Sequence, residues 1–259
     1  VPVQPGPRLN FSFVQMSDPQ YGFGGYEEDA RAFEMAVAEI NAMDVDFVLI
    51  CGDLTHAVAD DKVLAHVQRA RNALHVPSFC VPGNHDVGNA PTPQTLRRWR
   101  RVVGPDQQVL RWKGCRFVLI NTQLFKAPLP GETDRQSEWL DAMLADAARA
   151  GERTFVVGHV PLFTDEPQEE HAYYNLPCDT RRDLLARFRA HGVTAYLTGH
   201  IHRNLEVHLE GVHQVSTAST SYNYDGTLRG FRVWRVHPGG YTCRYHGLTG
   251  IPAAAAAAA

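Results

Sequence analysis

Five times along this chain a short apolar run breaks into serine or glycine and is followed at once by a side chain able to hold a cation or a proton. The runs end in Met16-Ser17-Asp18, Ile50-Cys51-Gly52-Asp53, Val81-Pro82-Gly83-Asn84, Val157-Gly158-His159 and Leu197-Thr198-Gly199-His200. Short apolar runs bounded by turn signals read as buried strands. Polar groups that follow such strands gather at the carboxyl edge of a sheet, where open α/β folds build their sites. Any one of these endings is an ordinary turn, because Gly and Asn are turn formers. A set of unrelated caps and core histidines does not explain why each follows a β-like run.

The segments between the runs agree with this. Glu27–Met43 carries Phe33, Val37 and Ile40 at helical spacing, and Asp60–Leu74 carries Val63, Val67, Ala70 and Leu74 on one face. With strands over Leu9–Met16, Val45–Cys51 and Pro77–Val81, they make two βαβ units and a parallel sheet that places Asp18, Asp53 and Asn84 at one edge. Val109–Trp112 and Arg116–Asn121 read as a hairpin, Arg135–Ala150 and Thr180–His191 as helices, and Thr154–Val157 and Val193–Leu197 as strands. The later runs His208–Val212, Gly230–Val236 and Tyr241–Leu248 alternate as short strands. They are expected to form a second sheet packed on the first, an α/β (α+β) sandwich with helices outside. Arg97, Arg98, Arg100 and Arg101 crowd the helix Leu96–Val103; such a run is usually a solvated face, with phosphate contact the sharper alternative. Thr164–Cys178 is an irregular acidic loop of a length that is usually functional or mobile.

Composition narrows the function classes. A chain of 259 residues, 44% hydrophobic and 20% charged, fits one large domain better than two. The domain is expected over 1–252, with Ala253–Ala259 a low-complexity tail outside the fold. A net charge of −3 offers no broad cationic surface for nucleic acid or an anionic membrane. No apolar stretch approaches the ~18 residues of a membrane span, and no signal-peptide pattern opens the chain, although a start at Val1 leaves a removed leader open. The 5 cysteines are odd in number and form no C-x-x-C pair, which suggests neither a disulfide framework nor a zinc finger and favours a cytoplasmic setting. Oligomeric state stays open, a monomer being compatible with all of this. The 13 histidines are many for this length, and His clusters are common in transition-metal sites.

The strand ends together deliver Asp18, Gln20, Asp53, Asn84, His159, His200 and His202. Carboxylate, amide and imidazole without thiolate suit a pair of divalent first-row metals such as Mn, Fe or Zn. Asp53 is the natural bridge, because one carboxylate can hold two cations about 3.5–4 Å apart.

The ordered motifs Asp18-x-Gln20, Gly52-Asp53, Gly83-Asn84-His85-Asp86, Gly158-His159 and Gly199-His200-x-His202 resemble the calcineurin-like metallophosphoesterase superfamily, from about Phe11 to Leu248. Ser17 to Gly22, Cys51 to Leu54, Gly83 to Asn89, Tyr173 to Leu176 and Gly199 to Asn204 extend the resemblance to one subfamily. It is that of calcineurin-like phosphoesterase domain-containing protein 1, described as serine/threonine protein phosphatases. The resemblance implies a four-layer αββα sandwich of two mixed sheets flanked by helices. It implies that Asp18, Gln20, Asp53 and His202 hold one metal and that Asp53, Asn84, His159 and His200 hold the other. It also implies that His85 is the acid at the leaving oxygen and that Asp86 orients it.

Gln20 stands where the superfamily commonly has His, and an amide oxygen is the weaker and harder donor, so the pair of divalent or mixed-valence ions is expected to be Mn or Fe ahead of Mg or Zn. The implied activity is hydrolysis of phosphomonoesters, phosphoserine or phosphothreonine first, by hydroxide that the metals make available. The substrate is then a phosphoprotein or a small phosphate ester, with Asn84, His85, Tyr173 and Tyr174 as candidate contacts. Two alternatives stand beside it: a phosphodiesterase on cyclic nucleotides or glycerophosphodiesters, and a metal-binding interaction protein without turnover.

Overall fold

In the computed structural model, residues 9–58 and 60–250 are described; the run Ala253–Ala259 and the outer ends of the expected 1–252 unit lie outside them. The first half follows the predicted order: β1 (Phe11–Met16), α1 (Tyr26–Asn41), β2 (Phe47–Ile50), α2 (Asp61–Arg71) and β3 (Ser78–Cys80). Each helix has a local reason to start where it does. Glu27, Glu28 and Asp29 complement the positive end of α1, and the Asp60 carboxylate caps α2 by accepting from the Lys62 and Val63 amides. A single helical turn, α3 (Asn84–Val87), follows β3 and was not evident in the sequence; α4 (Pro93–Val102) opens with Thr92 as cap and Pro93 in the first turn.

The chain continues with β4 (Gln108–Trp112), β5 (Cys115–Leu119), α5 (Thr122–Lys126), α6 (Glu132–Ala150), β6 (Arg153–Val157), α7 (Cys178–Ala190), β7 (Val193–Thr198), β8 (Leu205–Leu209), β9 (Val212–Ser216), β10 (Gly230–His237) and β11 (Gly240–Gly247). One sheet runs β11-β10-β1-β2-β3 and the other β4-β5-β6-β7-β9-β8. The pairs β1–β2, β2–β3, β5–β6, β6–β7 and β7–β9 are parallel, and β1–β10, β10–β11, β4–β5 and β8–β9 are antiparallel. Both sheets are therefore mixed.

The late strands do not make a separate sheet as expected. β8 and β9 extend the sheet of β6 and β7, while β10 returns to pair with β1 in the other. The run His208–Val212 is not one strand either. It spans the turn between β8 and β9, where Glu210 and Gly211 both take positive φ.

Three apolar clusters give the layers. Phe33, Val37, Ile40, Leu64 and Val67 pack α1 and α2 on the first sheet; Leu140, Leu144, Leu184 and Phe188 pack α6 and α7 on the second. Between the sheets lie Phe13, Phe47, Phe117, Phe155, Leu197 and Trp234. The Phe13 ring is stacked with Phe47 at 5.2 Å and with Trp234 at 5.5 Å, each such pair adding about 0.5–1.5 kcal/mol beyond area burial. Gln15, fully buried, ties the layers across this interface. Its amide donates to the Thr198 and Val215 carbonyls and accepts from Trp234 Nε1. The carboxyl ends of β1, β2, β3, β6 and β7 are thereby locked at one edge of the sandwich. The basic helix α4 serves elsewhere, with Arg98 paired to Asp61 and Arg100 to Asp106 and Glu132.

Candidate metal centre

All seven predicted donors meet at that edge, and each is buried. Asp18, Gln20, Asp53, His200 and His202 take left-handed backbone conformations, with φ between 35° and 69°. Non-glycine residues are rare there, and such strain persists where the surroundings over-determine it, most often at functional sites. Nothing in the residue types announces this.

Hydrogen bonds to backbone carbonyls and neighbouring side chains fix which atoms face inward. His159 Nδ1 donates to the Cys51 carbonyl at 2.6 Å, leaving the Nε2 lone pair 3.2 Å from Asp53 Oδ2 and 3.1 Å from Asn84 Oδ1. His202 Nδ1 donates to the Tyr222 carbonyl at 2.5 Å, which leaves Nε2 facing Asp18 Oδ1 at 3.5 Å. Asp18 Oδ2 accepts from Ser17 Oγ and the His200 amide, and Gln20 Nε2 donates to His56 Nδ1. Asp18 Oδ1 and Gln20 Oε1 are left buried with no hydrogen-bond partner. Oxygens facing imidazole Nε2 atoms, and buried orphan oxygens, call for a proton or a cation between them. Asp53, His159 and His200 offer donor atoms all within 4.8 Å of one another. The residues therefore fit divalent cations, with Asp53, His159 and His200 able to hold one and Asp18, Gln20 and His202 offering further donors beside them.

The electrostatics agree. Burial disfavours the charged form of every group here, yet His159 and then its hydrogen bond hold the Asp53 carboxyl far below the usual range. In return Asp53, its hydrogen bond and Asp18 overcome burial and push His159 up to about 9, so that at Nε2 a proton competes with a cation. His200, buried and beside His159, is pushed down to about 3 and stays neutral. Burial and the Asp53 charge push Asp86 up to about 7.

One assignment changes. Asp86 does not touch the His85 ring: its oxygens accept from the Leu54 and Gly83 amides, so it braces the two strand-end loops. His85 is held instead by His56, whose carbonyl accepts from its Nδ1 at 2.7 Å and whose ring stacks on it at 5.0 Å. His56 was missed in the sequence; its one signal is its place three residues beyond Asp53 in the same loop. Tyr173 reaches the donors, accepting from Asn84 Nδ2 at 2.8 Å. Tyr174 lies further out, its ring 6.1 Å from His200, and with Tyr224, Ile201, Arg203, Thr164 and Asp165 it lines a cavity of about 290 Å³ at the mouth.

A sandwich of this topology with such a donor set at its strand ends has the architecture of a two-metal hydrolase. The family described as calcineurin-like phosphoesterase matches residues 11–204, and this chain belongs to it. It is similar to the serine/threonine-protein phosphatase CPPED1 of Danio rerio, at 31% identity over 92% of this chain and 85% of that protein. At 27% identity, over 78% of this chain and 71% of the other, it is also similar to the 3',5'-cyclic adenosine monophosphate phosphodiesterase CpdA of Escherichia coli K12. Among solved structures, a dimetal phosphatase from Danio rerio superposes with a TM-score of 0.72 at 18% identity, covering 92% of this chain and 96% of that one. The chain is a metal-dependent phosphoesterase.

Because Asp18 Oδ1 and Gln20 Oε1 have no hydrogen-bond partner within the protein, cation binding is expected to stabilise the fold. At 100 times its Kd one cation adds about 2.7 kcal/mol, or roughly 5–10 °C in Tm for a chain of this size. Melting with Mn²⁺ or Zn²⁺ against excess EDTA measures it. An unchanged Tm with every divalent ion tried would contradict a built cation site.

Proposed function

We propose that the chain is a phosphomonoesterase acting on phosphoserine and phosphothreonine in a cytoplasmic setting, with two divalent or mixed-valence ions, Mn or Fe before Zn or Mg. The observation that carries it is the pair of buried, cation-demanding donor sets sharing Asp53, in a chain whose curated relatives include serine/threonine phosphatases. Asp18, Gln20, Asp53 and His202 would hold one cation, and Asp53, Asn84, His159 and His200 the other. When bound, such ions bring a water within reach of deprotonation near neutral pH and neutralise phosphoryl oxygens. The cytoplasmic setting is supported by cysteines that are all free.

His85 supplies the proton for the leaving oxygen. Its Nδ1 is committed to the His56 carbonyl, so Nε2 is the nitrogen that exchanges a proton with substrate. His85→Ala is expected to lower kcat on a phosphoserine peptide by at least about 10²-fold, the lower range of general acid catalysis. With p-nitrophenyl phosphate, whose leaving group departs as an anion unaided, the loss is expected to be much smaller. Equal losses on both substrates would remove His85 as the acid.

The second reading, a phosphodiesterase, is favoured by the similarity to CpdA. Rates on a phosphoserine peptide, p-nitrophenyl phosphate and its bis ester, all with added Mn²⁺, decide between them. Higher kcat/KM on the monoesters is expected, faster hydrolysis of the diester would overturn it, and no hydrolysis of any would leave a binding protein.

A further inference from the structure

The loop between Thr164 and Cys178 hydrogen-bonds to the centre through Tyr173. The Tyr173 carbonyl accepts from His200 Nε2 at 2.9 Å, and its hydroxyl accepts from Asn84 Nδ2 at 2.8 Å. Lys126 donates to the same carbonyl, and its ammonium lies 5.0 Å from the centre of the Tyr173 ring. Each bond has a consequence one atom further in. With its proton on Nε2, His200 keeps the Nδ1 lone pair for a cation. With Nδ2 turned to the hydroxyl, Asn84 keeps Oδ1 toward His159 Nε2 at 3.1 Å.

The rest of the loop is built to carry this residue. Glu169 accepts from the Thr164, Asp165 and Glu166 amides and from Asn175 Nδ2. The buried Arg181 guanidinium donates to the Pro167, Glu169 and Leu176 carbonyls. These ties hold the loop together and to α7, and Tyr173 carries it onto the donors of one cation site.

We propose that Tyr173 is a positioning residue for the cation site of Asp53, Asn84, His159 and His200, through which loop order and cation affinity are linked. This rests on the two-cation reading above. The hydroxyl is expected to act as other outer-shell partners of metal ligands do, where loss weakens affinity by about 10–100-fold. By reciprocity, a cation in that site orders the loop as strongly as the loop favours the cation.

Calorimetric titration of the metal-free protein with Mn²⁺ tests it, on wild type, Tyr173→Phe and Tyr174→Phe. The variants each remove one hydroxyl from a half-exposed ring, so both are expected to fold. In Tyr173→Phe the affinity of one of two Mn²⁺ ions is expected to fall by about 10–100-fold, with kcat recovered at saturating Mn²⁺. Tyr174→Phe is expected to bind as wild type does. In wild type, Mn²⁺ is also expected to slow proteolysis within 164–172, and to protect less in Tyr173→Phe. Unchanged Mn²⁺ affinity with a raised KM would overturn the proposal and make Tyr173 a substrate contact. Two Mn²⁺ bound to wild type without protection of the loop would also overturn it. Failure of wild type to bind two cations would instead remove the reading beneath it.

Discussion

Asp53→Asn is expected to lower kcat/KM by roughly 10³–10⁴-fold and to reduce Mn²⁺ stoichiometry from two to one or none. Asp53 stands at the end of β2 with φ of 53°, one oxygen 3.2 Å from His159 Nε2 and the other accepting from the His85 amide at 2.8 Å. It is the group proposed to be common to both donor sets, and His159 beside it, against burial, holds its carboxyl far below the usual range. A metal pair supplies several kcal/mol of charge stabilisation in the transition state, and each 1.36 kcal/mol is tenfold in rate, about 10³–10⁴ for the whole. Asparagine keeps the size and one carbonyl oxygen for the His85 amide, so the fold is expected to survive. Asp29→Asn is the contrast. Asp29 is equally buried, but its oxygens accept from Gly22, Gly24 and Ser221 at the start of α1. Its loss is expected to lower Tm while leaving cation stoichiometry at two. Asp53→Asn with two tightly bound ions and wild-type kinetics would remove Asp53 as the shared ligand.

That contrast marks how far the sequence carries. A strand followed by glycine or serine and a donor is a local pattern, and five such endings place Asp18, Asp53, Asn84, His159 and His200 at one edge without any knowledge of pairing. The helices α1, α2, α6 and α7 were legible for the same reason, because their apolar spacing is a property of neighbouring residues. Strand order beyond the βαβ units is not local. β10 reads the same whether it joins β9 or crosses to β1, and what sends it to β1 is the stacking of Trp234 on Phe13 and its bond to Gln15, more than 200 residues earlier.

The site divides in the same way. Donor identities could be read from residue types, but not the left-handed backbone that aims five of them inward. Nor could the carbonyls of Cys51, Tyr173 and Tyr222 that choose a nitrogen on each histidine, since any residue presents the same carbonyl. Asp86 beside His85 invited an orienting role by adjacency. A helical turn at Asn84–Val87 points consecutive side chains in different directions, which sends Asp86 to the Leu54 amide and leaves His85 to His56.

The second large effect is expected from a residue with no side chain. Gly199 precedes His200, and a Cβ there would lie 1.6 Å from Ser17 Oγ and 2.4 Å from Asp18 Oδ2. Neither neighbour can retreat, because both are fully buried. Ser17 Oγ donates to Asp18 Oδ2 and lies 3.1 Å from the Cys51 carbonyl, and the Asp18 amide donates to the Gly52 carbonyl while its carboxylate accepts from the His200 amide. Gly199→Ala must therefore separate β7 from β1 at the point where the two sheets share the centre. Overpacking of this kind costs about 3 kcal/mol or more, roughly 6–12 °C in Tm. Because the displaced atom belongs to Asp18, Mn²⁺ affinity is expected to fall in the same variant. Gly151→Ala separates the two effects: Gly151 caps α6 at φ of 66° with open space around it, so the change strains the backbone by about 1–2 kcal/mol without touching a donor. Adding Ser17→Gly to Gly199→Ala removes the 1.6 Å contact but not the one to Asp18, so part of the Tm should return and the Mn²⁺ affinity should not. A Gly199→Ala protein that melts and binds Mn²⁺ like wild type would show that the sheets can part at this edge without disturbing the donors.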